Sequence, residues 1–172
     1  MNIRRGFTLV ELLVVIAIIA ILAGGVVVMI NPVQKLRESR DSRRVQDLQT
    51  IKQAVDLALT DGQITLLGAP GALATGSSVG GGVAITPDGT GGWVKVSTVT
   101  GQTGLSKYLP KLPDDPQGAS APGSGYEWVS DGEYYEIKAT FESAKYINDY
   151  AGQDGGNEPT KYEVGTSAGF GL

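Results

Sequence analysis

The sequence predicts an α+β protein: a long N-terminal α-helix, half membrane-spanning and half amphipathic, packed on a small antiparallel β-sheet domain. Three observations predict it. Phe7 to Ile30 is an almost unbroken apolar run. Val45, Leu48, Ile51, Val55, Ala58 and Leu59 then recur at steps of three or four. Farther on, two alternating segments flank Asp131-Gly132. Composition narrows the chemistry. The 172 residues carry no Cys and no His, which removes disulfides, thiolates and the commonest general base and zinc ligand. The formal net charge is −4, and without Arg4 and Arg5 the chain is more acidic still, so no specific nucleic-acid partner is expected.

The elements follow in order. Residues 1–6 are a short basic leader containing Arg4, Arg5 and Gly6. Residues 7–30 would make a helix of about 36 Å, enough for a bilayer core of about 30 Å. A secretory signal fits poorly, because its apolar core is shorter and carries no acid. Glu11 is the anomaly, since a charge costs about 2.5–3.5 kcal/mol at the centre of a membrane helix and less near its end.

Arg4-Arg5-Gly6-Phe7-Thr8-Leu9-Val10-Glu11 and the apolar run behind it resemble the class III signal of the type IV pilin family, which includes the pseudopilins of type II secretion. The resemblance implies cleavage between Gly6 and Phe7 by a prepilin peptidase and N-methylation of Phe7. Cleavage would create an ammonium at a helix N-terminus one turn from Glu11. Two readings of Glu11 stand side by side. In one, its carboxylate neutralises Phe7 amines during assembly. In the other, Thr8-Leu9-Val10-Glu11 is a capping box, with Phe7 and Leu12 as its hydrophobic staple.

Gly24, Gly25 and Pro32 are expected to kink the helix, or to mark a stretch that unwinds in a filament. Residues 31–62 form the amphipathic continuation, with Gly62 as C-cap. Its polar face carries Lys35, Arg37, Arg40, Arg43 and Arg44. This stripe reads as a solvated face, with pairs Arg37–Asp41, Arg43–Asp47 and Asp41–Arg44. The positive-inside rule would keep such cations in the cytoplasm. The family resemblance instead implies a single-pass precursor in the cytoplasmic membrane, leader inside and C-terminal domain outside.

Residues 63–172 form the globular domain. Residues 67–92 are rich in Gly, Ala and Ser and read as a long loop with a short strand at Val83-Ala84-Ile85. Trp93–Val99 reads as a strand and Thr103–Leu109 as a helical turn. Leu109–Pro116 holds three prolines and excludes regular structure. Tyr126–Ser130 and Glu133–Phe141 form a hairpin (126–141) about a two-residue turn at Asp131-Gly132. Tyr135, Ile137, Ala139 and Phe141 alternate with Tyr134, Glu136, Lys138 and Thr140, so one face should lie on the helix and the other should face solvent. The remainder is loop-rich, with an edge strand at Lys161–Val164.

The run Tyr108–Pro116 followed by a Tyr-rich hairpin resembles the outer domain of major pseudopilins, although Gln117 replaces an expected aromatic residue. That resemblance implies calcium in the C-terminal loops. Asn148, Asp149, Asp154, Asn157 and Glu158 supply oxygens there, but their spacing matches no calcium-loop template, and the expectation is a solvated loop without a cofactor. Asp114-Asp115 stands in a Pro-rich loop with no nucleophile or His beside it, so no enzyme activity is expected.

The leading expectation is a structural subunit of a type IV pilus-like filament, extracellular or periplasmic after assembly and serving adhesion, motility or DNA uptake. By resemblance, its partners are copies of itself, the prepilin peptidase, an assembly ATPase and a membrane platform protein. The alternatives are a major pseudopilin of type II secretion and a membrane-anchored binding module that never polymerises.

Overall fold

The computed structural model describes residues 7–69, 72–78, 91–118 and 125–166. The leader 1–6 and the strand expected at 83–85 lie outside the described residues. The chain divides into two compact units, Met1–Leu36 and Arg37–Leu172.

In the first unit, helix α1 spans Leu9–Ile30 and is apolar along its length apart from Glu11. It runs through Gly24 and Gly25 without interruption. The break falls at Asn31, in the left-handed region with φ 45° and ψ 77°. The interruption thus lies directly ahead of Pro32, one of the three positions expected to disturb the helix. Pro32 disfavours helical geometry at the residue before it, and Asn is among the few residues that tolerate positive φ. Asn31 then starts helix α2 (Pro32–Thr60): its Oδ1 accepts the Gln34 N–H at 3.3 Å, with Pro32 in the first helical position.

In the second unit, α2 buries Leu48, Ile51, Ala54, Val55 and Ala58 against a sheet. The helix ends as expected at Gly62 (φ 62°), and Gln63 donates back to the Ala58 carbonyl. Strand β1 (Ile64–Leu66) pairs antiparallel with β4 (Val96–Thr98). The main sheet has the order β2-β3-β5-β6-β7, all antiparallel, from β2 (Gly68–Ala69), β3 (Ala72–Ser77), β5 (Tyr126–Ser130), β6 (Tyr135–Thr140) and β7 (Lys161–Gly165). A 3₁₀ turn covers Gly104–Lys107, where a helical turn was expected. Short helix α3 (Ala144–Tyr146) leads into a wide turn at Ile147–Ala151.

Three expectations are overturned here. The first is the loop at 67–92, where β2 and β3 occupy 68–69 and 72–77. The small residues serve close backbone approach: a Cβ on Gly76 would lie 1.9 Å from the Trp93 carbonyl oxygen, and one on Gly68 would lie 2.5 Å from that of Ser130. The second is the hairpin turn. The ladder closes at Ser130↔Tyr135, leaving Asp131–Tyr134 as the loop. Asp131 N–H donates to the Tyr134 carbonyl, and its Oδ1 accepts the N–H groups of Glu133 and Tyr134. The turn therefore centres on Gly132-Glu133, with Asp131 as its local acceptor.

The third is the solvent face of the hairpin. Tyr135, Ile137, Ala139 and Phe141 do enter the core, but Glu136 and Lys138 are buried as well. The Lys138 ammonium lies 2.9 Å from Glu158, 3.0 Å from Glu163 and 3.4 Å from Glu136. The backbone at Gly156 presses on Glu163, so the segment before β7 covers this face.

Candidate assembly segment and the charged seam of the globular unit

At the start of α1, Thr8 is the N-cap and Glu11 the N3 residue. The Glu11 Oε2 accepts both the Thr8 N–H at 2.9 Å and the Thr8 hydroxyl at 2.8 Å. The Glu11 N–H donates to Thr8 Oγ1 at 3.2 Å. This is the reciprocal capping box read from the sequence. It holds the one carboxylate of α1 at the helix N-terminus, where the backbone dipole favours negative charge. Phe7 is exposed one residue upstream of the capped nitrogen, and the exposed face of α1 includes Leu9, Leu12, Ile16 and Ile19. Leu9–Val26 is long and apolar enough to cross a membrane.

The second charged feature lies in the globular unit, and only its Asp41–Arg44 pair is legible in the sequence. The basic stripe of α2 is not wholly solvated. Arg44 and Asp41 are both fully buried. The Arg44 guanidinium grips Asp115 with two parallel bonds, Nε to Oδ2 at 2.8 Å and Nη2 to Oδ1 at 2.9 Å. Its Nη1 donates to Asp41 at 2.7 Å and lies 2.8 Å from Glu142. Asp41 also accepts the backbone N–H groups of Glu142 and Ser143, and Asp115 accepts that of Gln117. Arg40 closes the cluster on Glu142. Burial works against the Arg44 cation, yet its bonds to Asp115, Asp41 and Glu142 outweigh that and raise its pKa. Burial likewise opposes ionisation of Asp115, and the Arg44 fork overcomes it and lowers the pKa.

Of the expected pairs, Asp41–Arg44 forms, and Arg43–Asp47 is a 3.9 Å contact with Arg43 largely exposed. Arg37 is exposed and makes no ion pair among the described residues, because Asp41 is committed elsewhere. Along the rest of α2, one residue from each of three strands bonds the helix. The Tyr126 hydroxyl donates to Asp47 at 2.6 Å, the Tyr135 hydroxyl donates to Asp56, and the Tyr162 hydroxyl accepts from Gln49 at 2.6 Å.

The acids Asp114-Asp115 thus include a structural anchor. The oxygens considered for calcium have separate local roles. Asn148 and Asp149 lie in the wide turn, Asp154 accepts the Gly156 and Glu163 N–H groups, and Glu158 pairs with Lys138 and Lys161. No cluster of three acidic residues suited to a metal occurs among the described residues.

The chain thus joins a capped apolar helix to an α+β unit whose buried charges are paired with one another. The comparisons make the class specific. Residues 1–27 match the family model described as the prokaryotic N-terminal methylation motif. The chain is also 43% identical over 68 residues to "Fimbrial protein Q" of Moraxella bovis, a match covering 40% of this chain and 42% of that relative. No solved structure gives a significant match. The motif and the fimbrial relative together support the type IV pilin family for this chain, and the helix followed by antiparallel sheets agrees with a pilin-like fold.

Proposed function

We propose that this chain is the precursor of a filament subunit, cut between Gly6 and Phe7, methylated on the new Phe7 amine and stacked through α1 into a type IV pilus-like fibre. A prepilin peptidase makes the cut, and an assembly ATPase with a membrane platform drives growth. The precursor sits in the cytoplasmic membrane with its leader inside. The single observation that carries the reading is the position of the Glu11 carboxylate, already bonded to the Thr8 N–H one residue from the future terminus.

Cutting turns the Phe7 nitrogen from a neutral amide into an ammonium at the positive end of the helix dipole. That terminus needs an anion, and Glu11 is the one carboxylate within α1. In an apolar bundle an unpaired charge is costly and a paired one is tolerated, so Glu11 is satisfied when its own or a neighbour's terminus lies beside it. The test has two parts. Protein from native filaments should begin at Phe7 and be heavier by one methyl group, and an intact Met1 would overturn the processing step. Glu11→Gln keeps a capping acceptor but loses the charge, so filament yield should fall sharply while the globular unit stays folded. Normal yield from that variant would remove the assembly role.

A second reading, the major pseudopilin of a secretion system, is favoured by the irregular Leu109–Pro116 segment anchored at Asp115 ahead of the Tyr126 hairpin. Long filaments on the surface of sheared cells separate the pilus from it.

A further inference from the structure

One cavity of about 400 Å³ opens on the globular unit between α2, the wide turn and β7. Tyr162 and Tyr150 form aromatic wall, their rings 5.8 Å apart and edge to face, and Tyr150 remains 39% exposed. Lys52, Asp149, Asp154 and Glu163 supply its charges. Lys52 is neutralised by Asp56 at 2.7 Å and Glu163 by Lys138 at 3.0 Å. Asp149 is exposed, its carboxylate with no ion pair or hydrogen bond among the described residues, and the Asp154 carboxylate accepts only backbone N–H groups. The cavity is therefore an anionic recess beside the Tyr150 ring, which stacks on Tyr146 at 5.2 Å and keeps its remaining surface part-exposed. Such a site fits a planar organic cation, which packs beside the ring while its N–H groups meet carboxylates.

The same chain carries a cation, Arg37, without an ion-pair partner among the described residues. Arg37 stands on the part of α2 that has no buried residue before Asp41. It cannot fill its own cavity: Gln49, which lines the recess, is twelve residues along the same helix, about 18 Å away at the α-helical rise. We propose that the recess receives the Arg37 guanidinium of a second copy of this chain, held by Asp149 and Asp154 beside the part-exposed Tyr150 ring. The inference rests on the filament reading above and specifies one contact between globular units. The contact is charge-complementary and partly exposed, so it sets register and salt sensitivity more than total cohesion.

The experiment is a charge exchange in the full-length chain, scored as filaments recovered from cells. Asp149→Arg and Arg37→Asp should each lower recovery by about tenfold, the size of effect expected for reversing one complementary pair. The double variant should return to within about twofold of the unaltered chain. Asp149→Asn should give an intermediate loss. Thermal unfolding of each variant, followed by near-ultraviolet circular dichroism, should match the unaltered chain, because neither residue supports the fold. Indifference to both reversals, or two folded single variants with no recovery in the double, overturns the inference and leaves the filament reading intact. Absence of filaments from the unaltered chain overturns the filament reading itself.

Discussion

Arg44 lies at the centre of a buried charge cluster in the globular unit, and its energetics follow from its neighbours. Removing it leaves Asp41 and Asp115 buried without a counter-charge. Replacing one member of a buried ion cluster costs about 3–5 kcal/mol, well above the yield of an exposed pair. Arg44→Met should therefore lower stability by about that amount in chemical denaturation of the full chain. Arg43→Met, at a largely exposed position with a 3.9 Å contact, should change it by less than about 1 kcal/mol. Equal effects of the two substitutions would mean that burial does not distinguish them. Half of this cluster was legible in the sequence. Asp41 and Arg44 are three residues apart on one helix, so their pairing follows from helical geometry. Asp115 and Glu142 stand far along the chain, and no local rule points to them.

At the scale of elements, success and failure divide by the range of the forces. The capping box at Thr8 and Glu11, the left-handed glycine at 62 and the irregular Leu109–Pro116 run rest on neighbouring residues, and the structure has each of them. Helix α1 passes Gly24-Gly25 because a glycine costs about 1 kcal/mol in a helix and need not end it. Asn31 before proline is the stronger stop. The strand at Ala72–Ser77 carries little intrinsic β preference and exists because β5 pairs with it and Trp93 packs against Gly76. The hairpin was legible, but its turn lies one residue later than Asp131-Gly132 suggests. Using Asp131 Oδ1 as a local acceptor satisfies two backbone donors and brings Tyr135 into register with Ser130.

For the molecule as a whole, the charge clusters set the response to acid. The Arg40 bond is the main cause that holds Glu142 below the usual carboxylate range. At Asp115 and Glu158, burial opposes ionisation, but bonds to Arg44 and to Lys138 prevail and lower both pKa values. Each of these groups has a folded pKa below its unfolded one. Each contributes its stability above the ordinary carboxylate range and loses it as pH falls from about 4 through the folded value. Asp47 has the opposite sign. Burial raises it despite the Tyr126 bond, so its contribution favours the fold at low pH and is lost as pH rises through its folded value. Three groups outweigh one. The thermal midpoint of the full chain should stay nearly flat from about pH 8 to 5 and drop below about pH 4. A midpoint that climbs on acidification toward pH 3 would show the signs reversed.

The sequence by itself determined the apolar N-terminal helix, its leader motif and cap, the amphipathic face of α2 and the pairing of β5 with β6. All of these depend on spacings of one to four residues or on two runs joined by a short turn. The tertiary structure alone decided that Arg44 is buried on Asp115 and Glu142, that a glycine-rich stretch is a strand, and that Lys138 sits among glutamates under a covering segment. It also decided that an anionic recess forms beside Tyr150. Those outcomes join residues as many as about a hundred positions apart, and desolvation chooses among such partners only once the chain has brought them together.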